Sequence, residues 1–428
     1  RSALSLGEDA SLPTYGASVN LALPRVDLDA WQPIYESLSA ASTRPGAPPP
    51  PEEFVPDTVS LRTRELVLDG KLFRNVVLGA TRSDDGLWNA NLASDLVSGA
   101  LSWRPARTGA RAAEGHLTAR LTRLAIPDSR REEVVNTLGE TSAAQFPAVE
   151  LVAEQFELGA RKLGRLEVDA RNLGSGHAAV WQLQRLEITN PDGRFSATGR
   201  WAPDSAGARR MGLAFTVEAR DAGALLDRLG VRDALRGGTG KLEGEIGWRG
   251  SPLGIHYASL DGRIALEIDR GQFLKADPGA ARLLSVLSLQ TLARRVTLDF
   301  RDAFLDGFVF DRVRADALLD AGVLSTRNFR MIGPAATVLI DGTINLRNET
   351  QDLKLAVLPD VNATTASLAL AVVNPAVGLG SLVAQLVLKD PLSKLFSVEF
   401  EVRGGWADPQ IRKLERKPVA IINPNASP

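Results

Sequence analysis

The chain has 428 residues, 44% hydrophobic and 24% charged, the balance of a folded chain rather than a disordered one. A formal net charge of −1 supplies no basic excess for nucleic acid or an anionic membrane surface, so no nucleic-acid partner is expected. With no cysteine, disulfides, thiolate zinc sites and cysteine nucleophiles are all excluded, and an oxidising compartment is tolerated without being implied.

In chain order, Arg1-Ser2-Ala3-Leu4-Ser5-Leu6 reads as the middle of a strand, not as a signal peptide or an anchor, and we expect an upstream part to be missing. A short helix is expected over Ala30–Leu38 after Asp29 as N-cap. Residues 42–56 then form a Pro-rich spacer, a domain boundary or a long loop between neighbouring strands. A second helix is expected over Pro127–Leu138. From there period-2 alternation dominates. Leu166, Val168 and Ala170 share one phase, as do Phe195, Ala197, Gly199 and Trp201.

Leu213, Phe215, Val217 and Ala219 follow, and a helix is expected over Asp221–Leu235. Alternation resumes with Leu242, Gly244, Ile246 and Trp248, then Leu260, Gly262, Ile264, Leu266 and Ile268. A Pro-initiated helix is expected over Asp277–Arg295, with an apolar stripe and two arginines in its last turn. Val338, Ile340, Gly342, Ile344 and Leu346 alternate next. The uncharged run Val361–Leu388 is broken by Asn374-Pro375 and Gly378, and reads as a strand followed by a helix over Pro375–Phe396 rather than a membrane span. Val398, Phe400, Val402, Gly404 and Trp406 close the series. Turn signals separate the strands at Asp69-Gly70, Asp85-Gly86, Pro191-Asp192-Gly193 and Ala321-Gly322.

Between the apolar positions lie Arg, Glu, Asp, Thr and Ser, so each strand has one dry and one wet face, a pattern that favours antiparallel pairing. Roughly sixteen to twenty strands against about five helices leave much of the dry face without a helical cover. It is covered by a second sheet, by self-curling, or by ligand. The recurring dry-phase glycines Gly199, Gly244, Gly262, Gly342 and Gly404 fit a sheet that bends or is closely approached; equally, they make room for a packed helix or for bulges.

No chemistry-bearing constellation emerges. His116, His177 and His256 are scattered, and none has a partner at metal-ligand spacing. Gly237-Gly238-Thr239-Gly240 lacks the Lys-Ser/Thr pair of a phosphate loop and reads as a helix-to-strand turn. We expect no enzyme, no metal and no cofactor.

Several strings resemble the YhdP family. They are Asp221-Ala222-Gly223-Ala224-Leu225-Leu226-Asp227-Arg228-Leu229-Gly230, Gly237–Gly244 with Trp248, Leu283–Gln290, Arg294-Arg295, Leu298–Asp302, Gly307–Asp311 and Gly333–Ala336. Asn374-Pro375, Lys389–Leu392 and Gly405–Pro409 complete the match, which is strongest from Met211 to Pro409. The resemblance implies a mainly-β chain, related to AsmA-like and TamB-like proteins: a long twisted antiparallel sheet curled into an open apolar groove, with a few short helices packed on it or capping it. It implies an inner-membrane-anchored envelope protein whose periplasmic portion carries phospholipids from inner to outer membrane, with the anchor outside this chain. Phospholipids and the two membranes are then the partners, with envelope proteins unidentified. The divisions expected are a partial β segment with a short helix (1–41), the Pro-rich linker (42–56), β-groove segments at 57–210 and 211–412, and a tail (413–428).

On this reading the groove is lined by Leu213, Phe215, Val217, Leu242, Ile246, Leu260, Ile264, Leu266, Ile268, Val338, Ile340, Ile344, Val398, Phe400 and Val402. The physical case is simple. At about 0.8 kcal/mol per exposed methylene, a lipid with about thirty of them faces roughly 20 kcal/mol on crossing water unaided. A continuous apolar floor removes most of that barrier without catalytic residues. The helices expected at 277–295 and 375–396 would gate an end of the groove or simply pack on the sheet. The alternative is an envelope scaffold that assists outer-membrane protein assembly through its sheet edges.

Overall fold

The computed structural model describes residues 1–8, 12–31, 56–106 except 69, 115–127, 146–173, 178–274 except 206 and 253, 307–359, and 398–414 except 407. These residues form twenty strands of one mixed sheet, with a single α-helix among them. The chain divides into two units: residues 1–215 with 249–255, and residues 216–248 with 256–428.

The first unit holds β1 (Ser2–Leu6), β2 (Ala17–Asp27), β3 (Thr58–Leu68), β4 (Lys71–Arg82), β5 (Trp88–Ala93) and β6 (Val97–Arg104). It continues with β7 (His116–Ile126), β8 (Ala148–Leu158), β9 (Arg161–Leu173), β10 (Val180–Asn190), β11 (Gly193–Pro203) and the start of β12 (Arg209–Ala219). From β1 to β11 each strand pairs with the next in sequence. Most pairings are antiparallel, as the alternation predicts, but β1–β2, β2–β3 and β7–β8 are parallel. Parallel neighbours need a crossover connection, not a hairpin. The Pro-rich stretch is part of one such connection, since the strands on either side of it pair with each other.

The unit also repeats itself. A parallel pair followed by three antiparallel steps occurs in β2–β6 and again in β7–β11. The likeness extends to single residues: Trp88 faces Trp103 across β5–β6, and Trp181 faces Trp201 across β10–β11.

The second unit holds the rest of β12, helix α1 (Ala222–Arg228), β13 (Leu235–Arg249), β14 (Asp261–Phe273), β15 (Phe308–Asp320), β16 (Val323–Ile332), β17 (Ala336–Asn345), β18 (Thr350–Pro359), β19 (Val398–Gly405) and β20 (Gln410–Lys413). Strands β13 to β20 pair antiparallel in sequence order. In neither unit do the described pairings return a late strand to an early one, so neither closes as a barrel. The hairpin chemistry is as read from sequence: Ala321-Gly322 carries φ +47° and +79°, the two positive angles of a tight type I′ turn between Asp320 and Val323.

Helix α1 is shorter than the helix expected over Asp221–Leu235. Asp221 caps it, its carboxylate accepting the Ala224 N–H at 2.9 Å. It ends at Arg228, followed by Gly230 at φ +90°, and Leu235 already belongs to β13. The other predicted helices, Ala30–Leu38, Pro127–Leu138, Asp277–Arg295 and Pro375–Phe396, lie wholly or mostly outside the described residues.

Candidate functional site

Register decides which side chains share a face, because successive residues of a strand point to opposite sides. In the second unit the predicted apolar positions line up across strand after strand. Leu242 lies opposite Leu266, which lies opposite Ala315; Ile264 stands between Gly244 and Ala317. Ile268, Val313, Met331, Val338, Val357 and Val398 form one row across β14 to β19. Phe329, Ile340, Leu355 and Phe400 form the next, and Ile344 pairs with Leu324. In the first unit Phe195 and Phe215 stack with centroids 6.3 Å apart, and Leu213 touches the space a side chain on Gly199 would fill. Leu260 stands just before β14 and is buried.

The opposite face is lined with ion pairs. Arg123–Glu157 at 3.1 Å, Arg185–Glu167 at 3.2 Å and Arg194–Glu187 at 2.8 Å bridge strands of the first unit, where Arg120 also meets Glu150. Arg263–Glu245 at 2.7 Å, Arg312–Asp269 at 2.9 Å and Arg403–Asp352 at 3.2 Å do so in the second. Hydrogen bonds from Arg120 and Arg194 hold the carboxyls of Glu150 and Glu187 below the usual carboxylate range. Such exposed pairs add little stability each; they commit that face to water and leave the other to apolar contact.

The dry face is not uniform. In the first unit two buried clusters form, one around Leu61, Leu66 and Val76, the other around Leu121, Phe156 and Leu166, each fringed by half-buried Leu, Val and Ile. Leu213, Phe215 and Val217 of β12 are half-buried, and in the second unit so are Leu242, Ile246, Ile264, Leu266 and Ile268. Further along, Val338 and Phe400 are 0% exposed, Val402 2% and Ile340 4%, while Ile344 and Val398 are half-buried. Within β13 to β19 the predicted strand residues therefore share a face but not an environment.

The glycines are explained by backbone more than by space. Gly262 and Gly342 have φ +140° and +138°. A Cβ on either would lie 2.0 Å from the Glu245 carbonyl oxygen or 2.2 Å from that of Asp352. The close approach there is the neighbouring strand's own carbonyl, and the positive φ bends the strand. At Gly199 a Cβ would strike Met211 Cε at 2.6 Å, whereas at Gly404 nothing lies nearer than 3.7 Å. Gly244 is half-buried opposite Ile264.

Sequence reading passed over several residues on this face. Phe308, Phe310, Val313, Met331, Leu353 and Leu355 are all buried there. The alternation Phe308-x-Phe310 and Leu353-x-Leu355 would have found four of them. Trp181, Trp201 and Trp248 are buried, and Trp201 Nε1–H donates to the Gly250 carbonyl at 2.7 Å with the Arg209 guanidinium 5.2 Å above its ring. His116 opens β7 and His256 bonds Ser259 Oγ at 2.8 Å; His177 lies outside the described residues. Among the described residues no helix is long and apolar enough to cross a membrane.

Comparison with known proteins supplies the remaining evidence. The model of the family described as YhdP protein matches residues 1–411. The chain is also similar to the intermembrane phospholipid transporter YhdP of Escherichia coli (strain K12), 29% identical over 259 residues. That stretch is 60% of this chain and only 20% of the relative, so the chain spans about one fifth of the length of the curated protein it matches. No solved structure matches.

Proposed function

We infer that this chain, which belongs to the YhdP family, carries phospholipids by laying their acyl chains on the dry face of its sheet. The observation that carries the reading is the register. Apolar side chains occupy one face over consecutive strands, and several of them, among them Leu242, Ile264 and Leu266, are half-buried rather than sealed. Large apolar surface that a folded chain leaves accessible marks an interaction site. The relative's description as an intermembrane phospholipid transporter names a ligand whose tails suit that surface.

The mechanism needs no reacting group. An acyl chain meets interchangeable Leu, Ile, Val and Phe side chains from strand to strand, so its free energy changes little with position and no site traps it. The wet face, with its cross-strand Arg–Glu and Arg–Asp pairs, keeps the sheet in water. On this reading the chain is a periplasmic portion of a membrane-anchored envelope protein, working between inner and outer membranes, with lipid moving outward. The scaffold alternative would use free sheet edges to capture client strands.

The test is transfer of a fluorescent-tailed phospholipid from donor to acceptor vesicles. The purified chain, present well below the lipid concentration, raises the rate above that of spontaneous exchange. A rate equal to the protein-free control, from folded protein, contradicts the reading.

A further inference from the structure

The half-buried and the sealed parts of the dry face in the second unit meet at a definite place. Up to β14 the floor is half-open: Leu242, Ile246, Ile264 and Leu266 keep partial exposure. Opposite Leu266 and Ile264 on β15 stand only Ala315 and Ala317. Beyond them much of the same face is core, although Ile344 and Val398 stay half-buried, and Leu266 and Ala315 pack against its edge. Phe308, Phe310, Val313, Met331, Val338, Leu355 and Phe400 are each at most 2% exposed, and all belong to one cluster.

The helix closes the floor along another side. Ala222 of α1 belongs to that cluster and Leu226 packs against it, together with Ile268 and Phe273. A Cβ on Gly238, the β13 residue beneath the helix, would lie 3.5 Å from the Ala222 Cβ and 3.1 Å from Ile268 Cγ2. Phe273 and Phe310 are in ring contact with centroids 5.1 Å apart.

We propose that the acyl-chain path of the second unit ends at the β14–β15 seam, against a stop built from α1, Phe310, Val313 and the packed dry face of β15–β19. The proposal rests on the carrier reading and sharpens it: an apolar face shared by all these strands is divided into a part that holds lipid and a part that is protein core. An acyl chain enters a close-packed interior only by displacing side chains already in contact, which costs what a lost core contact costs. On the half-open floor it replaces water instead. The alanine seam is the last row where a methylene chain fits without moving protein. A lipid reaching it turns back or leaves the sheet there.

The experiment leaves the chain unmutated. A phospholipid with a diazirine near its tail end is bound to the purified protein and photolysed, and the adducts are mapped by peptide mass spectrometry. Adducts competed by excess unlabelled phospholipid are expected on the peptides holding Leu242–Ile246 and Ile264–Ile268. They are expected to be absent from those holding Val338–Ile340, Leu353–Val357 and Phe400–Val402. Comparable labelling of both groups overturns the stop while leaving the carrier reading intact. Labelling of neither group or of any other dry-face peptide, with lipid present, overturns both.

Discussion

Ile264→Asp separates lipid binding from folding more cleanly than any other single change. Ile264 is half-buried, with Gly244 opposite on β13 and Ala317 opposite on β15. Because both neighbours are small, a carboxylate at 264 reaches water without displacing a core side chain. Losing a half-buried isoleucine costs about 1–1.5 kcal/mol, and partial desolvation of the carboxylate adds about 1 kcal/mol. Both fit within the stability of a typical domain, about 5–15 kcal/mol, so the variant folds. An acyl chain crossing strands at about 4.8 Å spacing meets roughly one floor residue per strand. A charge there denies it about three methylene contacts at about 0.8 kcal/mol each, or about 2.4 kcal/mol. Affinity therefore falls roughly 60-fold. Titration with a fluorescent-tailed phospholipid measures it, with circular dichroism and the thermal midpoint as folding controls. A folded variant that binds lipid with unchanged affinity refutes the placement of acyl chains on this face.

Three further outcomes follow from the same structure. Ile340→Asp places a charge at a position 4% exposed between Phe329 and Leu355; a loss of about 4 kcal/mol or more is expected, seen as collapse of the denaturant midpoint, and a near-wild-type midpoint would contradict the sealed core. Gly342→Ala forces a Cβ to within 2.2 Å of the Asp352 carbonyl at φ +138°, which is expected to lower stability by about 2–4 kcal/mol, whereas an unchanged midpoint would deny the backbone role. Asp57 accepts the Ala17 N–H and an Arg82 guanidinium N–H, each at 3.0 Å, and that N–H and then Arg82 hold its carboxyl below the usual range. A depressed carboxylate stabilises above its unfolded pKa, about 3.9, and loses that contribution as pH falls through the lower folded value. The gap in stability between wild type and Asp57→Asn should accordingly close below about pH 4, and a gap constant from pH 6 to 2 would count against it.

Strand content and facing were legible because a period of two is a property of local sequence. Val398-x-Phe400-x-Val402 names its own dry face, and the register puts Phe400 opposite Leu355 as that phase requires. Turns were legible for the same reason, Ala321-Gly322 being a local solution to a tight reversal. Burial was not. Ile264 and Ile340 look alike in sequence, yet one is flanked by Gly244 and Ala317 and the other by Phe329 and Leu355. Those neighbours come from other strands. The parallel pairings were hidden too, since the alternation of β2 and β3 is silent about direction. The recurring glycines carried a signal that at Gly262 and Gly342 refers to the backbone, a positive φ beside a neighbouring strand's carbonyl.

The central claim is that phospholipid tails lie on the dry face, and native mass spectrometry of the chain purified from a phospholipid-containing host under gentle conditions tests it most directly. The account predicts discrete adducts with phospholipid masses on the wild type, greatly reduced on the folded Ile264→Asp variant. A wild-type chain that is well folded, free of lipid, and unable to acquire phospholipid from vesicles would contradict it.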